Sequence, residues 1–265
     1  MYETTYHRAG SVEEAVKLMG EADGGKFVAG GQTLIPTMKQ RLAAPDSLID
    51  LRHIADLKGI SVDGANVRIG AGTTHYDVAN SADLKAVCPG LCSLASHIGD
   101  PQVRHMGTIG GSISNNDPAA DYPSAMLALG ATIHTSKRDI AADDFFTGMF
   151  ETALDEDEIV TAVSFTAPDA CAYSKFPNPA SRYAMAGVFV AKGGNGVRVG
   201  VTGAGNDGVY RWSDAEAALS SDFSAGALDG LSVDAGDMME DLHGTADYRA
   251  NLVKVMAKRA VASAG

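Results

Sequence analysis

The chain holds few of the residues that would put redox or metal chemistry on its own side chains. Its 265 residues include three cysteines, Cys88, Cys92 and Cys171. That small, odd number excludes a disulfide framework. An iron–sulfur cluster of the four-cysteine kind is excluded for this chain alone. Cys88 and Cys92 have no histidine pair at ligand spacing beside them, so they read as a thiol pair. Positive charge is also scarce, with 21 Lys and Arg against 33 Asp and Glu and a net charge of −12. That balance argues against nucleic acid, which is bound by clustered Lys and Arg. No apolar run approaches the ~20 residues that span a bilayer. The opening MYETTYHRAGSVEEA is acidic and lacks the apolar centre of a secretory signal, so the expected compartment is the cytoplasm. Seven histidines are scattered, and no Ser/His/Asp arrangement or paired carboxylate stands out along the chain. No internal repeat is visible.

Glycine, by contrast, is concentrated where it can act. Residues 100–121, DPQVRHMGTIGGSISNNDPAAD, form a polar stretch holding Gly107, Gly110 and Gly111. It reads as a long loop between the turn signals Asp100-Pro101 and Asp117-Pro118, too long to be filler in a compact domain. Glycines let the backbone approach another group and present N–H donors, which suits an anion. Gly30, Gly31, Gln32 and Thr33 form a second such loop. It lies between a short strand at 27–29 and a helix start at Leu34. Each loop alone also reads as an ordinary strand-to-helix turn; together they could cradle two sides of one pyrophosphate. With few cations near them, backbone amides and helix N-termini would carry the phosphates.

The remaining pattern is α+β, with an α/β-type first lobe. Ser11-Val12-Glu13-Glu14 is a capping box opening a helix. Strands alternate with helices to about residue 57. A hairpin follows around residues 63–66, then Gly70-Ala71-Gly72-Thr73-Thr74 as a strand end with an N-cap threonine. Leu91, Leu94, Ala95 and Ile98 share a helix face, and residues 123–129 form the next helix. Strands at 131–135 and near Ile140 pair around Ser136-Lys137-Arg138-Asp139, and 159–165 is a further strand. A boundary is expected at 167–169. Beyond it, strands at 183–192 and 197–202 join through the turn Gly193-Gly194-Asn195-Gly196. Ser213-Asp214-Ala215-Glu216 reads as a second capping box, and Thr245 caps the last helix. Gly203-Ala204-Gly205-Asn206-Asp207-Gly208 matches a dinucleotide fingerprint in letters only, because no helix opens from it. Asp155-Glu156-Asp157-Glu158 reads as a solvated turn.

The two glycine loops, and the terminal HGTADYRANLVKVMAKRAV, resemble the FAD-binding flavoprotein subunits of molybdenum hydroxylases, the aerobic carbon monoxide dehydrogenase and xanthine dehydrogenase family. The resemblance covers nearly the whole chain. It implies a two-lobed FAD-binding domain of the p-cresol methylhydroxylase/vanillyl-alcohol oxidase type over 1–168, with lobes of about 1–57 and 58–168. A small C-terminal domain of antiparallel sheet plus helices, 169–265, would follow. It implies FAD contacts from Ala29, Gly30, Gly31, Gln32, Thr33 and Leu34, and from Ala71 and Thr74. Gly107, Thr108, Gly110, Gly111 and Ser112 would lie along the pyrophosphate and ribityl chain. Asn115 and Asp121 would bond the cofactor's polar edges, Val160 would pack against it, and Lys175 would stand near the isoalloxazine. Asp121 also reads as a helix N-cap, and Lys175 as a solvated surface lysine. Gln32 and Ser112 depart from residues frequent in relatives.

The implied function is an electron relay with no substrate-oxidising site of its own. Electrons from [2Fe-2S] clusters on a small subunit, and ultimately from a molybdenum cofactor on a large subunit, would reach FAD here and pass to an external acceptor. The expected assembly is a dimer of heterotrimers. Two other readings stay open at this point: a self-contained FAD-dependent oxidoreductase, and a flavin-binding module without turnover.

Overall fold

The structure is a computed structural model describing residues 1–194 and 196–264. Asn195, in the expected 193–196 turn, lies outside the described residues.

The chain opens β1 (Thr5–Arg8), α1 (Val12–Gly20), β2 (Gly25–Val28), α2 (Leu34–Lys39) and β3 (Ser47–Asp50). The three strands form a parallel sheet in the order β1-β3-β2. α1 starts where expected: the Glu14 amide donates to the Ser11 hydroxyl at 3.1 Å. The reciprocal bond reaches one residue further back, from the Gly10 amide to the Glu14 carboxylate at 2.7 Å. Ala15 of α1 packs on Ile49, Ile54 and Leu57 in a small separate core. This leaves the C-terminal ends of β2 and β3 open, the edge at which parallel α/β sheets bind ligands.

A second sheet has the order β4-β5-β10-β6-β7 and is antiparallel throughout. Its strands are β4 (Ile60–Asp63), β5 (Asn66–Gly70), β6 (Thr132–Thr135), β7 (Asp139–Ala141) and β10 (Val160–Thr166). Between β5 and β6 run α3 (His75–Asn80), α4 (Ala82–Val87), α5 (Pro89–Ser96), α6 (Pro101–Met106), α7 (Ile109–Asn115) and α8 (Tyr122–Leu129). After β7 come α9 (Ala142–Phe145) and the small hairpin β8 (Phe146–Gly148) and β9 (Glu151–Thr152). One face of the sheet, with Val67, Ile69, Ile133, Val163 and Phe165, packs on these helices to form the main core. Every residue of α8 is buried.

The third sheet, β11 (Ala170–Pro177), β12 (Ala184–Gly193), β13 (Gly196–Thr202) and β14 (Tyr210–Arg211), is also antiparallel. α8 covers one face, and α11 (Ala246–Ser263) covers the other. That explains why β12 is buried at eight successive positions instead of alternating. The main core runs across the expected boundary, since Cys171, Tyr173, Phe189 and Ala191 belong to it.

Several local expectations are corrected. Residues 100–121 are not one loop but two short helices and their joints. Asp100 caps α6 by accepting from Val103 N at 2.9 Å, and Pro101 opens it. Thr108 caps α7 by accepting from Gly111 N at 3.1 Å. The glycines inside α7 lower helix propensity. Packing overrides that cost, since a Cβ on Gly110 would collide with Ala71. Ser213 does not cap α10 (Ser213–Ser221); Trp212 holds that position without a side-chain bond. Glu216 instead accepts from Val199 N at 2.9 Å and pairs with Arg211. Glu158 is not in a solvated turn. It is buried and accepts from Thr135 and Arg138. Burial opposes its ionisation, but those bonds hold the carboxyl at about 2. Cys88 pairs with Cys171 at 3.6 Å, not with Cys92.

Candidate functional site

The three sheets meet around a cleft of about 1200 Å³. Every residue singled out from the sequence as a cofactor contact lines it, from Ala29 in the first lobe to Lys175 on β11. The physical reason lies in three strand ends. β2 runs into residues 29–33, β5 into Ala71 and Thr74, and β10 begins at Val160, all on one side of the molecule. α7 is threaded between them: Gly110 N donates to Ala71 O at 2.8 Å and Ile109 N to Thr73 O at 3.1 Å. A Cβ on Gly30 would run into the Met106 carbonyl, so the two glycine loops touch through Gly30.

The loops divide the donor work unequally. Among the described residues, the amides of Ala29, Gly30, Gly31, Gln32 and Thr33 donate to no protein group. Gly31 has φ +70°, which makes the loop concave. Consecutive free amides in such a turn form an anion nest. In the second loop Gly107 N donates to Val103 O at 2.7 Å. Gly111 N is held by Thr108, and Gly110 N by Ala71. The expectation that these three glycines present donors is therefore corrected. They are glycines to allow close packing, and the Thr108 amide is the one left free.

At the far end, Asp121 and Lys175 form an ion pair at 2.9 Å, with both side chains 5% exposed. Tyr173 also donates to the Asp121 carboxylate. Asp121 makes no N-cap bond to α8, and Lys175 is not a surface lysine. Burial pushes the Asp121 carboxyl up, against the Lys175 charge and the Tyr173 bond. Nearby, His75 is buried beside Tyr122, with ring centroids 5.3 Å apart. Burial, assisted by the charge of Arg104, lowers its pKa to about 4.

Residues not singled out from the sequence also line the cleft. Lys26 and Lys58 bring positive charge to the first-lobe end, and Arg52 stands there paired with Asp50. Arg52 is fixed by the buried Asp50 through bonds of 2.7–3.1 Å. Burial opposes Asp50 ionisation, but bonds from Arg52 and Tyr6 hold it at about 2. The signal that could have found Arg52 is its place directly after a parallel strand's C-terminal end. Phe150, 60% exposed with φ +56°, lines the cleft from the tip of the β8–β9 hairpin. No sequence signal marks that backbone.

Residues 2–168 match the family described as the FAD binding domain in molybdopterin dehydrogenase. The chain belongs to this family. Several relatives similar to it along nearly their whole length are medium subunits. The carbon monoxide dehydrogenase medium chain of Hydrogenophaga pseudoflava is 36% identical over 276 residues, covering 98% of this chain and 96% of that protein. The nicotine 6-hydroxylase medium subunit of Paenarthrobacter nicotinovorans is 34% identical over 275 residues, with the same coverages of 98% and 96%. Among solved structures, a Hydrogenophaga pseudoflava carbon monoxide dehydrogenase lacking the Mo-pyranopterin moiety superposes with a TM-score of 0.88 at 34% identity. That match covers 99% of this chain and 97% of the other. The α+β fold is thus that of a molybdopterin-dehydrogenase medium subunit, and FAD is the family's cofactor. The donor set fits it. Free amides at 29–33 suit a pyrophosphate, and the hydroxyls of Thr74, Thr108 and Ser112 with the Asn115 amide suit a polyol chain.

Proposed function

We propose that this chain is the electron-relay subunit of a molybdenum hydroxylase complex. The observation that carries the reading is the row of free amides at 29–33, opening on a cleft that ends at the buried Asp121–Lys175 pair. Bound FAD supplies the redox chemistry, accepting electrons from one partner and releasing them to another. The chain's own residues hold, orient and exclude water. Residues 29–34, with Thr108, would hold the pyrophosphate, and Ser112 and Asn115 would hold the ribityl chain. Ala71, Thr74 and Val160 close the walls. Lys175, as half of a neutral pair with Asp121, would offer the isoalloxazine a hydrogen bond more than net charge.

The division into a cofactor domain over 1–168 and a C-terminal domain over 169–265 is part of this reading, as are lobes about 1–57 and 58–168. So are a [2Fe-2S] small subunit, a molybdenum-binding large subunit, a dimer of heterotrimers and a cytoplasmic location. The specific complex is carbon monoxide dehydrogenase-like, on the full-length similarity to those medium chains. No helix among the described residues is long and apolar enough to cross a membrane. On this reading the clusters and molybdenum belong to the partners.

The test is purification of the chain from its native cell with whatever accompanies it, followed by a visible spectrum and iron and molybdenum assays. Flavin and iron–sulfur absorbance with molybdenum, on three kinds of chain, is the expected result. Flavin alone, on this chain alone, overturns the relay reading in favour of a self-contained flavoenzyme.

A further inference from the structure

The face of the second sheet turned away from its helices carries a constellation that the sequence did not reveal. In a strand, alternate residues share a face. Ile133 and Val163 enter the core, so His134 on β6 and Ser164 on β10 stand on the opposite side. Asp139 on β7 is the direct cross-strand partner of His134. His134 Nδ1 lies 2.6 Å from Asp139 Oδ1, and its Nε2 lies 2.7 Å from Ser164 Oγ. A carboxylate can only accept, so Nδ1 carries the proton. Nε2 of the neutral ring then accepts from the Ser164 hydroxyl. That is the tautomer and order of a serine nucleophile, its base and the carboxylate that orients the base.

Two further features belong to the same place. Ser164 lines a groove of about 320 Å³ with Ser61, Asn66, Arg68 and Thr132. Arg68 is the cross-strand neighbour of Ser164 on β5 and has no carboxylate partner among the described residues. The amides beside Ser164 serve the ladders to β5 and β6. The donor for a developing oxyanion must therefore come from a side chain, and Arg68 is the cation in place. None of these groups lines the FAD cleft.

We propose that Ser164, His134 and Asp139 form a second active site, hydrolysing small carboxylic esters whose acyl oxygen is received by Arg68. Ser164 Oγ bonds to the acyl carbon while its proton passes to His134 Nε2. The carbon–oxygen bond to the alcohol breaks, and the alcohol leaves with that proton. Water then adds to the acyl carbon and gives a proton to Nε2. The acid departs, and Ser164 recovers its hydrogen. Asp139 is a positioning residue in both halves.

The experiment treats the full chain with a fluorophosphonate probe, locates any adduct by peptide mass spectrometry, and follows p-nitrophenyl acetate hydrolysis alongside. The expected adduct is on Ser164, absent in Ser164→Ala and formed at least about tenfold more slowly in His134→Ala. Arg68→Ala is expected to lower ester hydrolysis by about a hundredfold, the scale of one lost oxyanion donor. All three variants alter an exposed or half-buried sheet face, and unchanged circular dichroism and flavin content would show that they fold. No adduct on Ser164 while a serine hydrolase in the same tube is labelled, or labelling that is equal in His134→Ala, overturns the proposal. Either result leaves a cross-strand polar network that only stabilises the sheet. FAD binding is independent of both.

Discussion

At the scale of single residues, the cleft is shaped by groups whose protonation depends on burial. His75 illustrates the sign. Its folded pKa of about 4 lies below its ordinary value of 6.5, because burial disfavours the charged ring. Between those values the unfolded chain binds a proton that the folded chain does not, so stability falls as pH falls through that window. The shift corresponds to about 3 kcal/mol, present in full above pH 6.5 and gone below about 4. Urea unfolding of the wild type should therefore weaken between pH 6.5 and 4, and His75→Gln should flatten much of that slope. An unchanged slope would mean that His75 is solvated. Asp50 and Glu158, both held at about 2, contribute at lower pH, as each loses its stabilising effect when pH falls through the carboxylate range towards 2.

Among elements, the joint between α7 and the β8–β9 hairpin shows how one residue can set a helix end and a neighbouring loop together. Asn116 ends α7 in the left-handed region with φ 42°, a conformation asparagine tolerates better than most residues. Its side-chain amide donates to Gly148 O and Glu151 O, each at 2.8 Å, and its carbonyl accepts from Phe150 N at 3.0 Å. Asn116→Ala removes the two side-chain bonds and leaves in the left-handed region a residue that tolerates it less well than asparagine, a cost of about 2–4 kcal/mol. Asn116→Gly keeps the backbone freedom and should cost less. Denaturant unfolding would measure the difference, and hydrogen exchange should accelerate at residues 148–151 in both. Equal stabilities for the two variants would show that backbone strain contributes little and that the lost side-chain bonds account for the effect.

On the scale of the whole molecule, the third sheet is a wall of the cleft and not an appendage. Gly203 N donates to Pro118 O at 2.8 Å, and the Thr202 hydroxyl donates to Ala120 O at 2.6 Å, pinning the segment that leads into Asp121. The Asp121–Lys175 pair then crosses from the helical layer to β11. Breaking a buried pair by removing one partner strands a charge and costs about 3–5 kcal/mol. Lys175→Met is expected to lower stability by that much and to reduce flavin retention. Adding Asp121→Asn should restore most of the stability without restoring the flavin environment. Thermal unfolding and the flavin spectrum of the single and double variants would separate the two effects. A single variant as stable as wild type would show the pair to be solvated.

What could be read from the residues in order was local or carried by the family's motifs. Ser11 and Thr245 cap their helices as read, because a cap needs only neighbours within one turn. The glycine loops were legible because glycine density is itself the signal, and all the residues named for the cofactor do line one cleft. What the order of residues left open depends on distance across the fold. Whether Gly110 serves a ligand or makes room for Ala71 depends on a strand forty residues earlier. Glu216 reads as a capping residue until β13 brings the Val199 amide to it. Lys175 reads as a solvated side chain until β11 lays it against Asp121, and His134, Asp139 and Ser164 are three unrelated letters until strand register sets them side by side. Short-range chemistry is written in sequence spacing, whereas partners brought together by packing and by sheet register exist only once the chain has folded.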